Sequence, residues 1–181
     1  MLVVSAGEFV RVYDPSEGEA QAWYVNDHTF VRDRPGSWHL IGITHPEPAT
    51  PYDELHLAHA TASALFGPRT KQPFRTIGRL RVGRDQLWAP HVIFWDDLCW
   101  MLVCRGGRSK EEYRIQLATS EDCWARERHP ENPLVVGYEA RDPMVHRMGE
   151  HWVMYYTATS RPEGGPFVVV ATESSVLIHW Q

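Results

Sequence analysis

The chain has 181 residues, 43% hydrophobic and 23% charged, which suits one domain of ordinary size with a packed core and excludes general disorder. Lys and Arg total 18 against 23 Asp and Glu, and the resulting charge of −5 argues against binding nucleic acid by phosphate neutralisation. No apolar run approaches the roughly 18 residues of a membrane helix. The opening Met1–Asp14 has no basic leader or long apolar stretch, so neither a signal peptide nor a membrane partner is expected. Cys99, Cys104 and Cys123 are an odd number without metal-type spacing, which predicts reduced thiols and a cytoplasmic protein.

Along the chain, short apolar runs dominate. They are Phe9–Tyr13, His28–Val31, Trp38–Ile43, His91–Trp95, Cys99–Cys104, Tyr113–Ala118, Met144–His146, Trp152–Ala158 and Phe167–Ala171. Each is rich in Val, Ile, Tyr, Phe or Trp and bounded by Gly, Pro, Asp or Arg, the pattern of short strands. Helical periodicity is scarce. The best stretch for it is Tyr52–Leu65, where apolar spacing is irregular and Pro46, Pro48 and Pro51 crowd the start.

The runs repeat as three copies of one unit. The first copy opens at Asn26-Asp27-His28, continues with Trp38–Gly42 and ends at Ala60-Thr61-Ala62. The second opens at Ala89-Pro90-His91, continues with Trp100–Val103 and ends at Ala118-Thr119-Ser120. The third opens at Arg141-Asp142-Pro143, continues with Trp152–Tyr156 and ends at Ala171-Thr172. The step from anchor to Trp is 11 residues from Asp27 and 10 from both Pro90 and Asp142. Charged turns at Asp33–Gly36, Asp96-Asp97 and Met148–Glu150 join the first two strands of each copy, and Trp38, Trp100 and Trp152 read as packing residues.

Units of about 50 residues with about four strands each are propeller blades. The expected fold is all-β: a half-propeller of three four-stranded blades in a single domain, 1–181. The blades fall at about 23–66, 86–126 and 138–181, with 1–22 an N-terminal strand segment. Propellers close with about four to eight blades, so three leave an apolar face open at each end. A second copy related by a two-fold axis would complete the ring, which makes a homodimer the expected assembly.

Innermost strands line a propeller's axis, so the heads of the three units should meet there. They carry two carboxylates (Asp27, Asp142), two imidazoles (His28, His91), the Arg141 guanidinium, the Asn26 amide and the indoles of Trp23 and Trp88. Paired carboxylates between aromatic walls suit cleavage of a glycosidic bond, where one activates water or attacks the anomeric carbon and a protonated one assists the leaving group. Indole faces stack on sugar rings, and Asn, His and Arg bind hydroxyls. Asp27 and Asp142 are therefore the candidate catalytic residues, and Trp23, Asn26, His28, Trp88, His91 and Arg141 the candidate sugar-binding ones.

Three segments carry a family resemblance. Trp23-Tyr24-Val25-Asn26-Asp27 resembles the Trp-Met-Asn-Asp-Pro segment of the five-bladed propeller glycosidases, the β-fructofuranosidases, arabinanases and β-xylosidases of glycoside hydrolase families 32 and 43. Arg141-Asp142-Pro143 resembles their Arg-Asp-Pro segment, and Ala118–Trp124 resembles a strand ending that recurs in them. The likeness runs from Trp23 to Trp180. It implies a nucleophile or general base at Asp27 and a transition-state stabiliser, or tuner of the acid's pKa, at Asp142. In that family the general acid is a Glu tens of residues beyond Arg-Asp-Pro. Here Glu150, Glu163 and Glu173 follow Asp142, and none heads an inner strand, so the acid is missing from the pattern. The two functions left open are a glycoside hydrolase and a non-catalytic carbohydrate-binding or assembly module on the same fold.

The resemblance implies no cofactor, apart from a Ca²⁺ ion on the axis beside His91. His56 and His59 would point to opposite faces of a strand, a poor metal pair. The basic stretch Arg69–Arg84 reads as a solvated connection between blades.

Overall fold

The computed structural model describes residues 5, 7–48, 50–75, 86–107, 109–124 and 126–181. Among these residues, twelve strands and two single-turn 3₁₀ segments make up the regular structure. No helix among the described residues is long and apolar enough to cross a membrane.

Three antiparallel sheets follow one another along the chain. The first runs in order through β1 (Trp23–Arg32), β2 (Trp38–Pro46), β3 (His56–Ala62) and β4 (Thr70–Arg75). The second contains β5 (Leu87–Trp95), β6 (Leu98–Arg105), β7 (Arg114–Ser120) and two short strands that both pair with β7, β8 (Glu127–Arg128) and β9 (Val135–Val136). The third contains β10 (Arg141–Met148), β11 (His151–Arg161) and β12 (Gly164–Ser174). The leading strands contact one another, β1 on β5 and β5 on β10, so the sheets fan around a common line. This is a partial propeller, in agreement with the repeat.

Local chemistry explains the hairpins. The Asp33 carboxylate accepts from the backbone N–H groups of Gly36 and Ser37 at 2.8 and 2.6 Å. Asp96 and Asp97 take left-handed φ values of 52° and 60°, the two-residue turn that matches strand twist. Between the sheets, alternate residues interdigitate. Val31, Ile41 and Leu57 pack on Val92, Met101 and Val103, while Leu102, Ile115 and Leu117 pack on Val145, Trp152 and Met154. Each such side chain contributes about 1.5–3 kcal/mol of burial.

Several expectations change. Tyr52–Leu65 is no helix: a 3₁₀ turn, Pro51–Asp53, leads into β3. The described residues between 7 and 22 contain no strand. They lie against β4, where the Lys71 ammonium donates to the carbonyls of Pro15 and Glu17 at 2.6 and 2.9 Å. Lys71 and Arg75 of the basic stretch belong to this outer strand β4, and residues 76–85 fall outside those described. The fourth position of the second sheet is split. Between β8 and β9 the Asn132 side chain takes the place of a strand residue, accepting from Leu117 N–H and donating to Leu117 C=O, both at 2.6 Å. The third sheet has three strands, and Gln181 exchanges two 2.9 Å backbone hydrogen bonds with Glu173 at the position of a fourth.

The cysteines are not all reduced. Cys99 and Cys123 form a disulfide with a Cα–Cα distance of 5.3 Å, and Cys104 is a buried thiol. Their separation of 24 residues concealed a contact that the β6–β7 pairing creates, since Cys99 sits opposite Ser120. His59 belongs to the core rather than to a pair with His56. Its Nε2–H meets His39 Nδ1 at 2.8 Å, while His39 Nε2–H donates to Asp33 at 3.0 Å. Trp124 covers both rings.

Candidate functional site

The innermost strands share one irregularity. The β1–β2 register shifts between Asn26 and His28, the β5–β6 register between Trp88 and His91, and the β10–β11 register between Arg141 and Met144. At each shift one non-glycine residue has positive φ: Asp27 at 35°, Ala89 at 44° and Asp142 at 56°. Such bulges re-aim a side chain out of the strand's alternation, and strained backbone of this kind is retained where the surroundings over-determine it. The repeat had set Pro90 opposite the two aspartates. The bulges set Ala89 there, one residue earlier, so the second blade has a methyl group where the others have carboxylates.

Gly42 makes the first bulge possible. A Cβ at that position would lie 2.9 Å from His28 Cβ and from Val25 Cγ1, and 3.1 Å from the Asn26 carbonyl. The third bulge is steadied by a 3.6 Å contact between the Arg141 guanidinium and the Asp142 carboxylate, and by Arg141 lying 4.3 Å over the Phe167 ring.

Asp27 and Asp142 line two adjoining cavities. One, of about 360 Å³, is walled by Asn26, Tyr52, Glu54, Trp88, Tyr113 and Arg141, with Lys110 at its edge. The other, of about 300 Å³, is walled by His28, Thr29, Ala89, Pro90, His91 and Met144. Of the residues singled out in the sequence, Asn26, His28, Trp88, His91 and Arg141 line one cavity or the other. Trp23 lines neither. It stacks on Phe74 at 4.5 Å, about 13 Å of strand away from Asp27. Trp88 is 9% exposed and sits edge-on to Tyr113 at 5.2 Å, so it offers the cavity a wall.

Electrostatics perturb the Asp27 carboxyl. Partial burial, and then the negative charge of Asp142, push the Asp27 carboxyl above its usual range, with His28 opposing. Burial pushes His91 down, partly offset by its Nε2–H donating to the Val145 carbonyl at 3.0 Å. That bond ties β5 to β10 and removes one ring nitrogen from any metal role. Among the described residues no group of three His, Cys, Asp or Glu side chains is arranged to hold a metal ion. Burial, with help from Tyr52, pushes the Tyr113 phenol up to about 12, and it stays neutral.

Glu54, Tyr52, Tyr113 and Lys110 were not singled out in the sequence. Tyr52 and Glu54 come from the loop between β2 and β3, the variable part of the repeat. Two bonds stitch that loop to the second sheet: Gln86 Nε2 donates to the Tyr52 carbonyl at 2.9 Å, and Leu87 N–H donates to the Glu54 carbonyl at 3.1 Å. The sole sequence signal was the proline cluster that marks this stretch as loop.

The arrangement resembles known structures. A glycoside hydrolase superposes with a TM-score of 0.63 and 15% identity, over 85% of this chain and 54% of its own. A Bombyx mori family 32 β-fructofuranosidase, solved with sucrose, superposes with a TM-score of 0.64 and 20% identity, over 87% of this chain and 34% of its own. An exo-β-1,3-galactanase from Phanerochaete chrysosporium, solved with β-1,3-galactotriose, superposes with a TM-score of 0.65 and 12% identity, over 88% and 35%. The chain spans about half the length of the first of these and about a third of the other two. No family model and no curated protein matches it. The fold is that of the propeller glycoside hydrolases of families 32 and 43, over three blades.

Proposed function

We propose that this chain carries a carbohydrate site between Asp27 and Asp142 and takes part there in cleaving a glycosidic bond. The observation that carries the reading is the pair of matching bulges, which turn one carboxylate from each of two blades toward the same two cavities. Asp27 serves as base or nucleophile, and Asp142 stabilises positive charge at the anomeric carbon. Asn26, His28, His91 and Arg141 bind hydroxyls, and Trp88 forms a wall. The glycoside hydrolase names of the structural neighbours support the same chemistry.

A panel of aryl furanosides and pyranosides tests it. Wild-type protein turns over at least one member, and Asp27→Asn lowers that rate by at least about 100-fold, the usual scale for losing a general base. Unchanged turnover in Asp27→Asn sinks the catalytic assignment. The second reading, a binding module, draws on the absence of a Glu at the head of any of the three inner strands. Sugar binding without turnover decides for it.

In this reading the partner is a second copy that closes the ring. Its support is the outer face of the third sheet, where Met144, Tyr155, Phe167 and Val169 are 48, 37, 49 and 76% exposed. Sedimentation at micromolar concentration should show a dimer that Val169→Lys dissociates, and a wild-type monomer would end the proposal. The Cys99–Cys123 bridge supports an oxidising compartment over the cytoplasmic one that the cysteine count favoured.

A further inference from the structure

We infer that Glu54, held by Tyr24, is the residue by which this site selects its sugar, accepting hydrogen bonds from neighbouring hydroxyls of the ligand. The inference rests on the carbohydrate reading of the pocket and adds a third carboxylate to it, from the loop between β2 and β3.

Glu54 is 6% exposed, and it lines the same cavity as Asp27 and Asp142. A carboxylate buried to that degree is expensive unless its oxygens are satisfied. The Tyr24 hydroxyl donates to Glu54 Oε1 at 2.7 Å. Burial and this bond push the Tyr24 phenol well above its ordinary value, so Tyr24 keeps its proton and acts as donor. The bond sets the rotamer of the Glu54 side chain. A carboxylate fixed in this way is a strong, directional acceptor for hydroxyls.

Position points the same way. The Glu54 carbonyl is bonded to Leu87 N–H and the Tyr52 carbonyl to Gln86 Nε2, so both ends of this short segment are pinned to the second sheet. Tyr52 and Tyr113 stand beside Glu54 in the wall, and Lys110 lies at the edge with its ammonium 3.2 Å from Glu139. A sugar seated against Asp27 and Asp142 would therefore present hydroxyls to a fixed carboxylate acceptor. A site built to receive a hydroxyl rejects the epimer that cannot supply it, because the buried acceptor is then left unpaired.

The test is binding of free L-arabinose, D-xylose, D-galactose and D-fructose, measured by titration calorimetry and ligand-observed NMR on the full chain. The variants are Glu54→Gln and Tyr24→Phe, with folding checked by circular dichroism. For the sugar that wild type prefers, Glu54→Gln is expected to weaken binding at least 10-fold and to change the order of preference among the four. Tyr24→Phe, which keeps the carboxylate but frees it, is expected to weaken binding about threefold and carries the test if Glu54→Gln does not fold. A purely structural role would lower the melting temperature without reordering the sugars. Unchanged affinity and order in a folded Glu54→Gln, or in Tyr24→Phe where that variant carries the test, overturns this inference and leaves the carbohydrate reading standing. No binding of any sugar by wild type overturns both.

Discussion

Asp27 and Asp142 occupy the same point on two different sheets, each at left-handed φ where the first strand of its sheet slips register against the second. Their side chains share two cavities, and the charge of Asp142 adds to burial in raising the Asp27 carboxyl.

That coupling sets a pH dependence. The Asp27 carboxyl is raised above its unfolded value of 3.8, so between the two values the folded state binds the extra proton and stability falls as pH rises. Asparagine removes the titration and tolerates left-handed φ. Asp27→Asn is therefore expected to melt higher than wild type at pH 7, by about 1–2 °C because the side chain is still open to solvent. The gain should fade as pH drops toward the unfolded value. A lower melting temperature at pH 7 would contradict the electrostatic account.

Gly42 should resist substitution. Its missing Cβ is what lets Val25, Asn26 and His28 close over the bulge. Gly42→Ala is expected to lose about 1–3 kcal/mol in urea denaturation, as overpacked positions do, and to weaken sugar binding by turning Asp27 away. A change below about 0.5 kcal/mol, within the range of neutral surface changes, would mean the bulge does not depend on it.

Ala89 should behave in the opposite way. An alanine at φ 44° has the strain of the bulge without a carboxylate. Ala89→Gly is expected to stabilise the fold by about 0.5–1 kcal/mol, read as a higher urea midpoint. Destabilisation would show that the Ala89 methyl packs better than its backbone is strained.

The cysteines give a chemical readout. The Cys99–Cys123 bridge spans 24 residues, and closing a loop of that length is associated with about 3 kcal/mol. Reduction should lower the melting temperature accordingly. Burial pushes the Cys104 thiol up to about 12, so native protein should give no reaction with a thiol reagent until it is unfolded. Two rapidly titrating thiols in untreated protein would show that the bridge is absent.

Much of the architecture could be read from residues alone. Strand composition, Asp-rich turns and the recurring Trp are local signals, and each contributes to its own hairpin before any long-range contact forms. The two aspartates were legible because they head a repeated unit. Trp23 read as a sugar platform because an indole near Asp27 looks like one, but the strand points it at Phe74 instead. Glu54 gave no such signal, since it lies in the segment that differs most between copies.

The sequence by itself determined an all-β chain of three repeated sheets with Asp27 and Asp142 at their heads, because hydrophobic alternation and turn chemistry act between neighbours along the chain. Only the tertiary structure decided that Ala89 rather than Pro90 is the third equivalent position, that Cys99 meets Cys123, and that Glu54 joins the two aspartates. Each of these depends on the register between strands and the stitching of loops across sheets, which are settled by packing of parts far apart in sequence.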